Sequence, residues 1–345
     1  MEVRIPERHK RAGVCYAVTD DGIELPVIDM THPAFAFQVS ETELPHLFEE
    51  SIRATKSRDR MPAFLQRIVF GLLVRGSVLG RAIMGSEGTF VSGMVTYLMK
   101  LGPENLGDGY AGRTDRKLAA ALPPLSARIR LRDMARLISE GLTPALSRKQ
   151  GQPIHLLNIG GGPASDSLNA LILIRRDHPE LLSGRKVLIQ VLDLDDAGPS
   201  FGSRAMAALM AEGAPLQGVE ARFDHIFYDW AKPAGLRAAI QPEARNAVVV
   251  MSSEGGLFEY GSDDEIVANL EILKDCTPDD AVFVGSVTKA DGPAGMLNKA
   301  SKIATQLRSL ESFSGLIKRA GWTLAQTVEG PLSHNVSLRK ALMIA

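Results

Sequence analysis

Residues 154–166 read IHLLNIGGGPASD: an apolar run, three consecutive glycines, then Pro-Ala-Ser-Asp leading into the helical pattern LNALILIRR. Strand, glycine turn and helix in that order constrain the chain to an α/β architecture whose bare backbone can approach a ligand. Glycine is required because a Cβ would hold the ligand off and because the turn calls for positive φ. Alone the pattern is shared by many α/β proteins, and the segments after it narrow the reading.

From about residue 151, apolar runs at IHLLNI, VLIQVLD, HIFYD, AVVVMSS and AVFVGSV alternate with helical stretches at SLNALILIRRD, GSRAMAALMAEG, PAGLRAAI and EIVANLEILKD. Short continuous apolar runs of this kind are strands buried on both faces, hence a parallel sheet with helices on either side. The helix LRSLESFSGLIKRAG follows, then WTLAQTVEG and HNVSLRKALMI, separated only by PLS. So short a loop joins antiparallel neighbours and predicts a terminal β-hairpin.

Residues 1–150 differ in texture. A strand-like start, GVCYAVTDDGIELPVIDM, carries a hairpin turn at Asp21-Gly22, and helical patterns follow at LPHLFEESIRATK, TFVSGMVTYLMKL and ARIRLRDMARLISEGL, the last expected to end at Gly141. The expected organisation is therefore a mainly helical substrate or lid region over 1–150 and a catalytic α/β domain over 151–345.

The 345-residue chain has a formal net charge of −1, which leaves no electrostatic footprint for nucleic acid or an anionic membrane. Arg67, Arg75 and Arg81 interrupt the apolar segment 62–85, so no membrane span is expected, and this segment points instead to buried helix and a homodimer face. The charged start lacks the apolar core of a signal peptide, and Cys15 and Cys276 lack metal-ligand spacing. A cytoplasmic location and no metal are the expectations.

Five parallel strands, a helix and a hairpin, with these motifs in this order, resemble the class I S-adenosylmethionine-dependent methyltransferases over residues 150–345. The fold implied is a Rossmann-like seven-stranded methyltransferase sheet with a C-terminal β-hairpin. NIGGGPASDSL is similar to the family's acidic-x-Gly-x-Gly-x-Gly motif, departing from it at Asn158, where an acid is common, and at Ala164, where a glycine is usual. The resemblance implies that Asp193, closing VLIQVLD, accepts hydrogen bonds from a ribose diol, with Asp195 the alternative if the strand ends later. In HIFYDWAKP it implies that Asp229 meets the adenine amino group, while Trp230 either offers the ring an apolar face or packs in the core. The implied cofactor-binding set is Asn158, Gly160, Gly161, Gly162, Asp193, Leu194, Asp229, Trp230 and Ser252, and the cofactor is S-adenosyl-L-methionine. The run 254–260, EGGLFEY, is similar to the Glu-Gly-x-Leu-x-Tyr stretch of leucine carboxyl and polyketide O-methyltransferases, which implies a small-molecule methyl acceptor and transfer to oxygen.

Ligands in such sheets sit at the carboxyl ends of the parallel strands. Glu254 follows the fourth strand on that side, and His334 lies beyond the turn after TLAQTVEG, so both are candidate catalytic residues. Glu254 serves either as a base or as a shaper of the ligand loop; His334 either faces the site or is exposed on the hairpin. His225 begins the third apolar run and is placed at the opposite edge. Arg130, Arg132 and Arg136 either present a basic face to solvent or supply one contact to the methionine carboxylate. Two other functions stay open: an NAD(P)-dependent oxidoreductase, for which Ser165 stands where Gly-x-Gly-x-x-Gly needs its last glycine, and a non-catalytic S-adenosylmethionine-binding regulatory protein.

Overall fold

In the computed structural model, residues 4–37, 43–60, 62, 77–85, 91–106, 112–244, 246–301 and 303–341 are described. Most of the segment 62–85, on which the homodimer expectation rests, lies outside them. After a 3-10 turn (Glu7–His9) comes a small antiparallel pair, β1 (Tyr16–Val18) and β2 (Glu24–Pro26), turned at Gly22 with φ +83° as the Asp-Gly dipeptide predicts. Helices α1 (Glu43–Asp59), α2 (Val78–Gly85), α3 (Gly93–Leu101), α4 (Arg113–Ala119) and α5 (Leu122–Arg148) follow.

The alternating half is β3 (Ile154–Ile159), α6 (Ser165–Asp177), β4 (Lys186–Asp193), α7 (Ala197–Leu209), β5 (Glu220–Phe227), α8 (Leu236–Ala244), β6 (Val248–Ser253), α9 (Leu257–Tyr260), α10 (Asp263–Cys276), β7 (Val282–Thr288), α11 (Gly292–Ala300), α12 (Leu310–Arg319), β8 (Trp322–Glu329) and β9 (Ser333–Lys340). Its seven strands lie in the order β5-β4-β3-β6-β7-β9-β8. All are parallel except β9, which is inserted antiparallel between β7 and β8. This is the seven-stranded methyltransferase sheet expected from the sequence. The dinucleotide-binding order would continue past β7 with a parallel strand, and here the returning arm of the hairpin occupies that edge.

Every residue of β3, β6 and β7 is buried, as strands covered on both faces must be. Alternation sends Leu156 and Leu157 to opposite faces, where two apolar cores form. One packs the sheet against α5, α6 and α7 and continues into Leu25, Leu79 and Leu101 of the first 150 residues. The other joins Leu157, Met251 and Phe283 to Ile240, Leu270, Phe313 and Trp322.

Helix α5 does not stop at Gly141 as expected; it runs to Arg148. Leu142, Ala145 and Leu146 extend its buried stripe, and Gly141 lets it lie close on the sheet, since a Cβ there would stand 3.3 Å from Val282. The buried Arg185 receives its final carbonyls, donating to Leu146 O and Lys149 O at 2.8 and 2.7 Å, and this satisfies an end that would otherwise fray.

Candidate functional site

The glycine bend emerges where β3 runs out of sheet. Gly160 N still donates to Leu192 O on β4 at 2.8 Å, after which Gly160 and Gly162 take φ of +61° and +50°. A Cβ on Gly160 would lie 3.0 Å from both Gly256 Cα and the Trp230 ring, and one on Gly161 would lie 2.5 Å from Asn158 Cβ. Ala164, the departure from the glycine motif, sits left-handed at φ 52°, the one non-glycine with positive φ among the described residues. An alanine there costs about 1–2 kcal/mol, which the surrounding packing tolerates.

Asp193 ties the end of β4 to this bend. Its Oδ2 accepts Gly162 N at 2.8 Å and its Oδ1 accepts Asp195 N at 3.0 Å; burial pushes its carboxyl above the usual range. Asp195 Oδ1 accepts Ala197 N at 3.1 Å just before α7, leaving its Oδ2 buried without a hydrogen-bond partner. Both acids border a cleft of ≈ 310 Å³ at the carboxyl ends of the strands, with Leu194 exposed between them.

Of the expected cofactor residues, Gly160, Gly161, Gly162, Asp193, Leu194 and Trp230 come together around this cleft, and Glu254 joins them. Asn158, Ser252 and Asp229 do not line it. Asn158 and Ser252 are buried beneath the bend, where Asn158 Oδ1 accepts the Ser167 and Ser252 hydroxyls, each at 3.0 Å. The small residue at 158 therefore supports the glycines from behind. Asp229 turns to Lys232 at 3.1 Å and Ala231 N at 3.0 Å, and the Lys232 contact holds its carboxyl low.

The roof of the cleft comes from the first 150 residues, where the sequence points to a substrate or lid region without singling out Gly93, Thr96 or Lys100. Ser92 caps α3, and Gly93 allows the helix start to touch the bend: its Cβ would meet Gly162 Cα at 2.8 Å. One α3 turn further, Thr96 and then Lys100 face inward. Lys100 Nζ lies 2.8 Å from Glu254 Oε1, Arg130 Nε is 3.3 Å from the same oxygen, and Arg130 Nη1 is 2.6 Å from Glu259 Oε1. Burial opposes the Arg130 charge, but Glu259 and Glu254 outweigh it and hold the guanidinium above its ordinary value. The signal available for Lys100 was a single cation in the otherwise apolar GMVTYLMKL. Of the other candidate arginines, Arg132 and Arg136 have half-exposed side chains.

His334 lies on the carboxyl side, but in another cleft, with Lys289, Asp291 and Glu329. Burial, then Lys289, lowers its pKa. His225 corrects its expected place: β5 starts five residues earlier, at Glu220, so His225 reaches the carboxyl edge and its Nε2 lies 3.1 Å from Asp193 O. The apolar run HIFYD marked only the end of that strand, because an edge strand need not be apolar throughout. Among the described residues, no group of three or more His, Cys, Asp or Glu side chains could hold a metal ion, and no helix is long and apolar enough to cross a membrane.

A second cleft, ≈ 290 Å³, adjoins the first, and Val91, Thr96, Gly255 and Tyr260 belong to both walls. The Tyr260 hydroxyl accepts Val91 N at 3.4 Å, and burial pushes its pKa up to about 12.

The strand order, the bend on β3 and the acid closing β4 together define the class I S-adenosylmethionine-dependent methyltransferase fold. No family model matches the chain, and no curated protein is similar to it in sequence. Among solved structures, the chain is similar to a protein described as a possible exported protein from Bordetella parapertussis, with a TM-score of 0.56, 17% identity, and coverage of 88% of this chain and 100% of that one. At that identity the likeness is one of fold. Slighter overlaps occur with the mitomycin 7-O-methyltransferase MmcR (TM-score 0.41, 12% identity, 81% of this chain and 74% of that one) and with human N-acetylserotonin methyltransferase in complex with S-adenosylmethionine (0.40, 15%, 64% and 55%). Overlaps that slight carry no further argument.

Proposed function

We propose that this chain is an S-adenosylmethionine-dependent methyltransferase that methylates a small molecule at oxygen, with residues 151–345 as its catalytic domain and residues 1–150 as acceptor-side cover. The observation that carries the reading is Asp193, which closes β4, grips the N–H of Gly162 and borders a cleft roofed by α3.

The residues fit the cofactor. Gly160, Gly161 and Gly162 present bare backbone to the cleft, and the buried, unpartnered Asp195 Oδ2 beside Asp193 is an acceptor for a donor such as a ribose hydroxyl. Each oxygen of Asp193 keeps a lone pair beyond its backbone bond, and hydrogen bonds to a charged acceptor contribute about 1.5–3 kcal/mol. Leu194 and the Trp230 ring supply apolar walls for a base, and Lys100 and Glu254 bring opposite charges to the end where an amino-acid zwitterion would lie. When bound, the cofactor supplies an electrophilic methyl group on a sulfonium. What the chain contributes is position: α3 shields the cleft from water, and the wall shared with the second cleft brings an acceptor alongside, an arrangement that can supply up to ~7–11 kcal/mol of barrier lowering. A reducing, cytoplasmic setting belongs to this reading, since Cys15 and Cys276 are both free thiols.

Calorimetric titration with S-adenosylhomocysteine tests it. The chain is expected to bind, and Asp193→Ala to abolish binding; undiminished binding by the variant removes the ribose assignment. Methyl transfer from labelled cofactor in an acceptor screen separates an enzyme from a non-catalytic binder, and titration with NADH is expected to give no heat.

A further inference from the structure

The amino ends of β3, β4 and β5 border a cleft of ≈ 560 Å³ at the edge of the sheet away from the glycine bend. Strand register sets its floor. His155 pairs with Leu188, and Leu188 with Arg222, so the three form one row across the strands. Lys186 and Glu220, two positions earlier on their strands, share that face by alternation. All five line the cleft, and Ala247 ahead of β6 joins them. Leu188 and Ala247 are buried, whereas the side chains of Lys186 and Glu220 are exposed at the rim.

His155 is 1% exposed, and its hydrogen bonds fix its proton. Its Nε2 lies 3.1 Å from Gln190 Oε1, while Gln190 Nε2 donates to Ala239 O at 3.2 Å and so sets which end of the amide meets the ring. An amide oxygen only accepts, which assigns the ring proton to Nε2. Burial pushes the imidazole pKa down to about 4; the Gln190 bond opposes this and the nearby Arg222 charge adds to it. The ring is therefore neutral at pH 7, and Nδ1 is a bare acceptor. That atom is buried without a hydrogen-bond partner. Buried polar atoms almost always have one, and a donor on a ligand in this cleft would supply it.

The chemistry of the ligand follows from that atom. A carboxylate brings no donor to it. A cation beside it would meet the same desolvation and the same Arg222 charge that keep a second proton off the imidazole. An uncharged N–H or O–H satisfies both conditions, and the buried Leu188 suits an apolar ring around it. We propose that this amino-edge cleft is a further binding site, for a flat, uncharged aromatic ring whose N–H or O–H donates to His155 Nδ1. Five strand residues separate His155 from Gly160, roughly 16 Å of extended chain, so the site is distinct from the cleft at the glycine bend.

Calorimetric titration of the full chain with indole and with 1-methylindole, which keeps the ring but lacks the donor, tests the proposal. Indole is expected to bind about tenfold more tightly, as one added hydrogen bond allows. His155→Phe should remove the difference while leaving the far-ultraviolet circular dichroism unchanged. A crystal of the unmutated chain grown with indole should place the indole N–H within hydrogen-bond distance of His155 Nδ1, a result that stands even if the variant fails to fold. Equal affinities, no measurable indole binding, a preference that survives in His155→Phe, or indole lodged in another cleft overturns the proposal. None of these outcomes touches the methyltransferase reading, which the S-adenosylhomocysteine titration tests by itself.

Discussion

Lys100 Nζ and Glu254 Oε1 meet at 2.8 Å with side chains only 7% and 4% exposed, one on a helix of the first 150 residues and the other at the carboxyl end of β6. The pair fastens the roof of the cleft to its back wall. Removing one partner from a buried pair strands the other charge, at a cost of about 3–5 kcal/mol. Lys100→Met is therefore expected to lose that order of stability in urea unfolding, softened by the Arg130 contact that Glu254 keeps. The double variant Lys100→Met/Glu254→Gln should lose less than the two single variants together, by roughly 1 kcal/mol or more. Strict additivity would mean that the pair does not couple the two halves.

The stability of the fold should fall as pH rises through the range in which Asp166 ionises. Its carboxyl, buried behind the glycine bend, is pushed up to about 6 from 3.8, first by desolvation and then by Glu254. A folded value above the unfolded one means that the native state favours the protonated acid. The contribution is full below pH 3.8 and is lost as pH climbs through about 6. Asp166→Asn is expected to be more stable than the parent at neutral pH by of order 3 kcal/mol and to lack the decline between those values. Urea unfolding across the range from acid to neutral pH measures both, and parallel profiles for parent and variant would remove the account.

Gly93→Ala is expected to weaken S-adenosylhomocysteine binding by about tenfold or more. The new Cβ would lie 2.8 Å from Gly162 Cα, a backbone atom that cannot rotate away, so α3 and the bend must separate. Overpacking of this kind costs about 1–3 kcal/mol. Calorimetry on the variant reads the effect, and unchanged affinity would show that α3 does not define the ligand's space.

The two tryptophans divide cleanly as reporters. Trp322 is fully buried, its indole N–H donating to Leu270 O at 2.9 Å, whereas Trp230 lines the cleft over Gly160. Binding of S-adenosylhomocysteine should change the intrinsic fluorescence, and Trp230→Phe should abolish the change while keeping most of the affinity. A signal that survives in the variant would place the adenine elsewhere.

Much of this was legible along the chain, because it depends on neighbours in sequence. The run 248–253, opening on three valines, reads as a strand covered on both faces; three glycines after an apolar run read as a tight bend; and PLS between two amphipathic segments reads as a hairpin. Asp193 was singled out through the family resemblance, as the acid closing the second strand of this half, with Asp195 as the alternative. Where the reading slipped, a local signal was overruled from a distance. Gly141 reads as a helix stop, yet Arg185, 44 positions on in the chain, satisfies the carbonyls further along and the helix continues.

By itself, then, the sequence determined the sheet and the bend, since alternation, turn chemistry and strand length are local properties of a polypeptide. Only the tertiary structure decided which charges face the ligand space. Lys100, Arg130 and Glu254 lie up to 154 positions apart, and no periodicity foretells that they share one dry corner. It likewise moved Asn158 and Ser252 behind the glycines and turned Asp229 toward Lys232, because a side chain's role is set by what packs against it in space.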